Sequence, residues 1–214
     1  MTVDLWCHPD IFLAVVDEDV VILDVAGDRY DCLLGAAALL KLKPDGSILP
    51  VSDLVAEGLR DAGLAGDAPL GAGRRPPIPP MRELTPAPEP PRLEIARAAL
   101  AWIVATALFR GKPLSVLAEF HRALRGRAID QDEVRLAHLA GAARRVRPWI
   151  PFEGECLQRS FQLRCYLASR GVASDWIFGV RTWPFSAHCW LQIGDLVVGD
   201  RLARVRRYTP ILRA

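Results

Sequence analysis

The sequence lacks the signals that would put a metal, a nucleotide or a bilayer at the centre of its function. Its five cysteines, at positions 7, 32, 156, 165 and 189, form no CxxC pair. With four histidines they make no cluster of zinc spacing, so no metal is expected. No glycine-rich phosphate loop is present, and neither ATP chemistry nor a cofactor is expected. Asp4 and Asp10 interrupt any apolar run near the start, so no signal peptide is expected. The most apolar stretch, residues 98–109, has 12 residues, about half a membrane span. A soluble, reduced, cytoplasmic protein is the expectation, and thiols there are more often catalytic than structural.

The chain does have core material and an uneven charge. Hydrophobic residues make up 51% of 214, enough for one large domain or two small ones. Residues 1–68 hold 13 acids against 4 bases, and residues 69–214 hold 12 against 23. Opposite signs suggest two domains that attract each other, or partners of different charge.

The acidic part reads as β runs at 11–16, 20–25 and 29–33, separated by the turns Asp17-Glu18-Asp19 and Ala26-Gly27-Asp28. Two helices are expected next, over 33–42 and from Ser52 or Asp53 to Gly63. That order describes a small winged-helix-like unit in residues 1–68. Its acidity opposes the phosphate contacts of DNA binding, so no nucleic acid is expected. Its open edge strand suits addition of an extended peptide. Arg29, Tyr30, Asp31, Cys32 and Leu33 would form that edge, with Leu54 and Leu59 on a wall helix.

Residues 69–91 hold 9 of the 17 prolines and read as an extended, semi-rigid linker. Beyond it, helical periodicity covers 93–109 and 113–125, the latter stopped by Gly126. Asp130 could cap a third helix running to about Val146. A helix from 156 to 169, ending at Gly171, precedes strands at 172–181, 187–193 and 196–200, an α+β order.

That last segment carries the chemistry. Cys156 opens the helix, where unpaired N–H groups and the positive dipole end favour thiolate. His188 lies in mid-strand and can reach the sulfur; Asp200, on the neighbouring strand, can hold the ring. Each has a bland alternative: a buried small hydrophobe, a structural imidazole, a turn aspartate. Their order on these elements favours the catalytic trio. Cys165 lies inside the helix and Cys189 alternates away from His188, so both read as buried hydrophobes.

Residues 4–64, with the Gly27-Asp28-Arg29-Tyr30 turn and the closing Asp61-Ala62-Gly63-Leu64, resemble the precursor-peptide recognition domain related to the pyrroloquinoline quinone D protein. Residues 43–51 depart from it, being too short for that family's second helix. Residues 92–214 resemble the transglutaminase-like, papain-like cysteine protease of lasso-peptide biosynthesis. That likeness rests on Cys156-Leu-Gln-Arg-Ser-Phe-Gln-Leu-Arg164, Leu167-Ala-Ser-Arg-Gly-Val172, Ile177-Phe-Gly-Val-Arg181, Pro184-Phe-Ser-Ala-His188-Cys-Trp190 and Gly199-Asp200. The whole chain resembles the fused B protein of that pathway. The resemblance implies a leader peptidase: the first domain holds the leader of a precursor peptide, and Cys156 cleaves the leader–core bond with His188 as base. It also implies a partner, an asparagine-synthetase-like cyclase that uses ATP to close the core. Acyl transfer to an amine, or an adaptor that delivers the precursor without catalysis, are the alternatives. No upstream oxyanion Gln is evident, and Gln158 qualifies only by proximity.

Overall fold

The computed structural model describes residues 4–43, 45–69, 77–123, 132–149 and 155–214. The helix stop at Gly126, the cap at Asp130 and the linker's residues 70–76 lie outside them. Both α-helices and β-strands are present, as the α+β expectation requires.

The N-terminal part begins with β1 (Leu5–Cys7), then the meander β2 (Ile11–Val16), β3 (Asp19–Asp24) and β4 (Arg29–Leu33). The meander pairs in the order β2-β3-β4, which leaves β4 at an edge. A second sheet is made by β5 (Leu40–Leu42), β6 (Ser47–Pro50), β1 and β7 (Ala65–Gly66) in the order β5-β6-β1-β7. Helix α1 (Asp53–Asp61) is capped by Ser52, whose hydroxyl accepts from the Val55 N–H.

The helix expected over 33–42 is absent. A short 3₁₀ turn at Ala36–Ala38 and strand β5 stand in its place. Gly35 adopts φ 65°, and its N–H donates to the Asp19 carboxylate at 2.8 Å, which turns the chain away from a helical path. Leu40 then buries itself and pairs with Pro50. Pairing with β6 overrides the helix propensity of the Ala/Leu run.

The linker is not free over its described length. Within it, β8 (Arg82–Glu83) pairs in parallel with β11 (Leu196–Val198) at the end of the C-terminal sheet. The Leu84 N–H donates to Val197 O at 2.9 Å, the Ala87 N–H to Ala137 O at 2.8 Å, and Gln192 Nε2 to Ile78 O at 2.7 Å. Leu84 is buried in the main core. Residues 77–91 therefore form a strap bound along one domain.

Helices α2 (Arg92–Phe109), α3 (Leu114–Ala123), α4 (Glu133–Val146) and α5 (Cys156–Ser169) come next. Asp132 caps α4, accepting from the Val134 and Arg135 N–H groups. The sheet order is β12-β9-β10-β11-β8, with β9 (Asp175–Arg181), β10 (Ser186–Ile193), α6 (Leu202–Val205) and β12 (Thr209–Arg213) completing the chain. On one side α5 packs against β10 and α2. On another, β2 packs across β12 and β9. Ala14, Val16, Val21, Leu23 and Val25 thus share one core with Phe178, Val180, Ile211 and Leu212. The opposite charges of the two parts suggested attraction through ions; the contact is an apolar sheet-on-sheet layer. The hydrogen bond from Trp183 Nε1 to Asp19 at 2.8 Å adds to it.

Candidate active site

Cys156 is the first residue of α5, behind Glu155, whose side chain makes no capping bond. Phe161, Leu163, Tyr166 and Leu167 bury one side of the helix and fix where it starts against the sheet. Strand β10 pairs with β9 along its whole length, but β11 reaches only Leu191, Gln192 and Ile193. Cys156 packs, partly buried, against the main core that holds Cys189, close enough to His188 and Cys189 for both to act on its charge.

His188 Nε2 lies 2.5 Å from Asp200 Oδ2. The ring stacks on Trp190 and is tilted against Tyr208, with centroids 6.1 and 5.2 Å away. Asp200 follows Gly199, which takes φ 78° and leaves no room for a side chain: a Cβ would lie 2.4 Å from Leu163 Cδ2. The Asp200 carboxylate also accepts from the Arg201 N–H at 2.7 Å and faces Arg204 at 3.6 Å.

The electrostatics follow this geometry. The Cys189 hydrogen bond, then those of His188 and the Cys189 N–H, pull the Cys156 thiol down to about 4 against the opposing effect of burial. Burial would lower His188, but Asp200 and the Cys156 sulfur outweigh it and raise it to about 9. Burial would raise Asp200; His188 and the Arg201 N–H hold it below the usual carboxylate range. These shifts favour thiolate on Cys156 and imidazolium on His188, the ionic state that an activated cysteine nucleophile uses.

Cys165 is partly buried, and burial pushes its thiol up to about 11. Cys189 is 5% exposed and belongs to the main core, while His188 on the other face of β10 stacks on Trp190, as strand alternation requires.

The strand-edge residues are brought together only in part. Tyr30, Asp31 and Cys32 line a small pocket whose other wall is Thr182, Trp183 and Phe185 of the β9–β10 turn. Arg29 pairs with Asp24 and Asp31, and Leu33 is exposed. Leu54 is 79% exposed, while Leu59 is 6% exposed and belongs to a separate N-terminal core with Leu5 and Ile48. The wall of this pocket is the β9–β10 turn and not α1. Tyr30 rests against Phe185, centroids 5.7 Å apart. Burial, then the nearby sulfurs of Cys189 and Cys156, raise its phenol. The run from Trp183 to His188 was the available signal for this wall. Gln158 is half-buried on the first turn of α5. Among the described residues no group of three His, Cys, Asp or Glu side chains could hold a metal ion. No described helix is long and apolar enough to cross a membrane.

A cysteine at a helix start, near an imidazole that a carboxylate holds, is the arrangement on which cysteine acyl-transfer centres are built. The chain belongs to the transglutaminase-like superfamily, whose family model matches residues 96–213. Over 49 residues it is 39% identical to the microcin J25-processing protein McjB of Escherichia coli. That stretch is 23% of this chain and 24% of McjB, so the match spans about a quarter of that relative's length. No solved structure matches the chain.

Proposed function

We propose that the chain is the leader peptidase of a lasso-peptide pathway, acting in the cytoplasm on a ribosomally made precursor. The observation that carries this reading is His188, held by Asp200, within electrostatic reach of Cys156 at the start of α5. The partial likeness to a protein named for processing microcin J25 supplies the substrate class. The leader binds as an added strand on β4, over Arg29 to Leu33, with Leu54 and Leu59 as the outlying candidates for its wall. The division is a recognition domain at 1–68, a connector at 69–91 and a catalytic domain at 92–214.

The reaction proceeds in two steps. The Cys156 thiolate attacks the carbonyl carbon of the leader–core bond, and N–H groups at the start of α5 stabilise the oxyanion. Imidazolium His188 gives its proton to the departing core amine, leaving the leader as a thioester on Cys156. Neutral His188 then takes a proton from water, whose oxygen attacks the thioester, and Cys156 leaves as thiolate, restoring the ion pair. The freed α-amine suits an asparagine-synthetase-like cyclase that joins it to a carboxylate side chain.

The test is mass spectrometry of a precursor peptide incubated with the purified chain in ¹⁸O-labelled water. Hydrolysis gives a leader with ¹⁸O in its new carboxylate and an unmodified core. Transfer to an added amine without label uptake would instead favour a transglutaminase-type enzyme, and an intact precursor would favour the adaptor reading. The ion pair also predicts a pH profile. Cleavage should hold a plateau between about pH 4 and about pH 9. Below it the thiolate is protonated, and above it the imidazolium has no proton to give. An acid limb near pH 8 or above would mean that Cys156 rests as a thiol.

A further inference from the structure

The helix that carries Cys156 begins without the usual support. Glu155, at its N-cap, makes no side-chain capping bond. A capping side chain there would occupy the N–H groups assigned above to the oxyanion. Residues 156–159 are only half-buried, and full burial of α5 begins at Ser160. The first turn is therefore held neither by a cap nor by complete burial.

Ser160 supplies a different tie. Its buried hydroxyl lies 2.7 Å from the Cys156 carbonyl, 3.1 Å from that of Leu157 and 3.4 Å from Cys189 Sγ. A hydroxyl has one hydrogen, and the Cys156 carbonyl is the nearest acceptor. A serine bonded back to the carbonyl four residues earlier is, by itself, slightly unfavourable to a helix. Here the same oxygen is also held from outside the helix, because Trp176 Nε1 donates to it at 2.8 Å. Trp176 is fully buried on β9, a strand paired on both sides, by β10 and β12. The donor thus has little freedom to move. A line of hydrogen bonds runs from the sheet, through Ser160, to the backbone of Cys156, and each bond polarises the next.

We propose that Ser160 and Trp176 are positioning residues of this centre: the buried indole holds the Ser160 hydroxyl, and the hydroxyl holds the Cys156 carbonyl. The turn that bears the sulfur is fixed in this way while its N–H end stays clear of a capping side chain. This rests on Cys156 being the nucleophile of the proposed reaction. Neither residue exchanges a proton or forms a bond with the peptide; both act through the backbone of Cys156.

Iodoacetamide alkylation of Cys156 in the full chain, followed by peptide mass spectrometry against pH, reads how well the sulfur is placed. A thiolate forms more readily the better its partners are aligned. The titratable groups that act on Cys156 are His188 and Cys189 of β10, with Tyr30 of β4 in range, and every variant keeps them. In Ser160→Ala the alkylation midpoint should rise by about one unit, and in Trp176→Phe by about half a unit. Both changes cut the same line, so the double variant should match Ser160→Ala instead of adding the two shifts. Ser160→Thr keeps the hydroxyl and should return the midpoint toward the native value, even where its extra methyl group lowers the melting temperature. An unchanged midpoint in Ser160→Ala overturns the proposal. So do additive shifts in the double variant, or midpoints that follow melting temperature across the variants and not the presence of the hydroxyl, since both would mark packing. Alkylation needs no peptide substrate, so these outcomes stand apart from any failure to cleave a leader.

Discussion

Cys156→Ala is expected to lower leader–core cleavage by about five orders of magnitude, the scale at which removal of an activated nucleophile leaves only binding and oxyanion stabilisation. In the proposed mechanism the Cys156 sulfur forms the thioester, and neither Cys165 nor Cys189 is suited to replace it. Cys165 is held as a thiol by burial, and Cys189 is buried beside Ser160. Fluorescence anisotropy with a labelled leader should meanwhile give the native affinity, because β4 lies outside the segment altered. Loss of binding together with cleavage would place Cys156 in the fold rather than in the chemistry. Cleavage persisting in the alanine variant would remove the nucleophile from the proposed mechanism altogether.

Legibility in the sequence followed the range of the forces involved. The meander β2–β4 could be read because its β-branched runs and acidic or glycine turns are local signals. The same holds for α5 and its Cys156 start, and for the turn at Gly199 that delivers Asp200. Strand β5 could not be read: its Ala/Leu composition favours helix, and only pairing with β6 and the Gly35 turn oppose it. Strand alternation predicts where a side chain points, but not where the neighbouring strand stops, and β11 pairs with β10 only over Leu191, Gln192 and Ile193. Tyr30 was assigned to peptide binding through its edge strand; its approach to Phe185 and the sulfurs depends on how two sheets pack.

The strap makes the second strong claim on experiment. A chain that begins at residue 92 is expected to melt far below one that begins at residue 77. Both lack the N-terminal sheet, so the comparison isolates the strap. Losing Leu84 from the core costs about 2–5 kcal/mol, as for other large core truncations. The main-chain bonds from Leu84 to Val197 and from Ala87 to Ala137 add about 1 kcal/mol each. Arg82 pairs with Glu133 and Asp195, but all three are exposed, and such pairs contribute little. These losses are a large part of the roughly 5–15 kcal/mol that holds a typical domain together, so the shorter chain should melt at least about 10 °C lower. A point change in the full chain asks the same question without truncation. Gly141 sits in α4 where a Cβ would lie 2.3 Å from the Ala87 carbonyl oxygen. Alanine normally stabilises a helix relative to glycine by about 1 kcal/mol. Gly141→Ala should do the opposite here, lowering stability by about 1–3 kcal/mol because the strap must lift off α4 to admit the methyl group. If calorimetry finds Gly141→Ala more stable than the native chain, and residues 92–214 melting with residues 77–214, then the strap is a tether lying on the surface and the catalytic domain begins at α2.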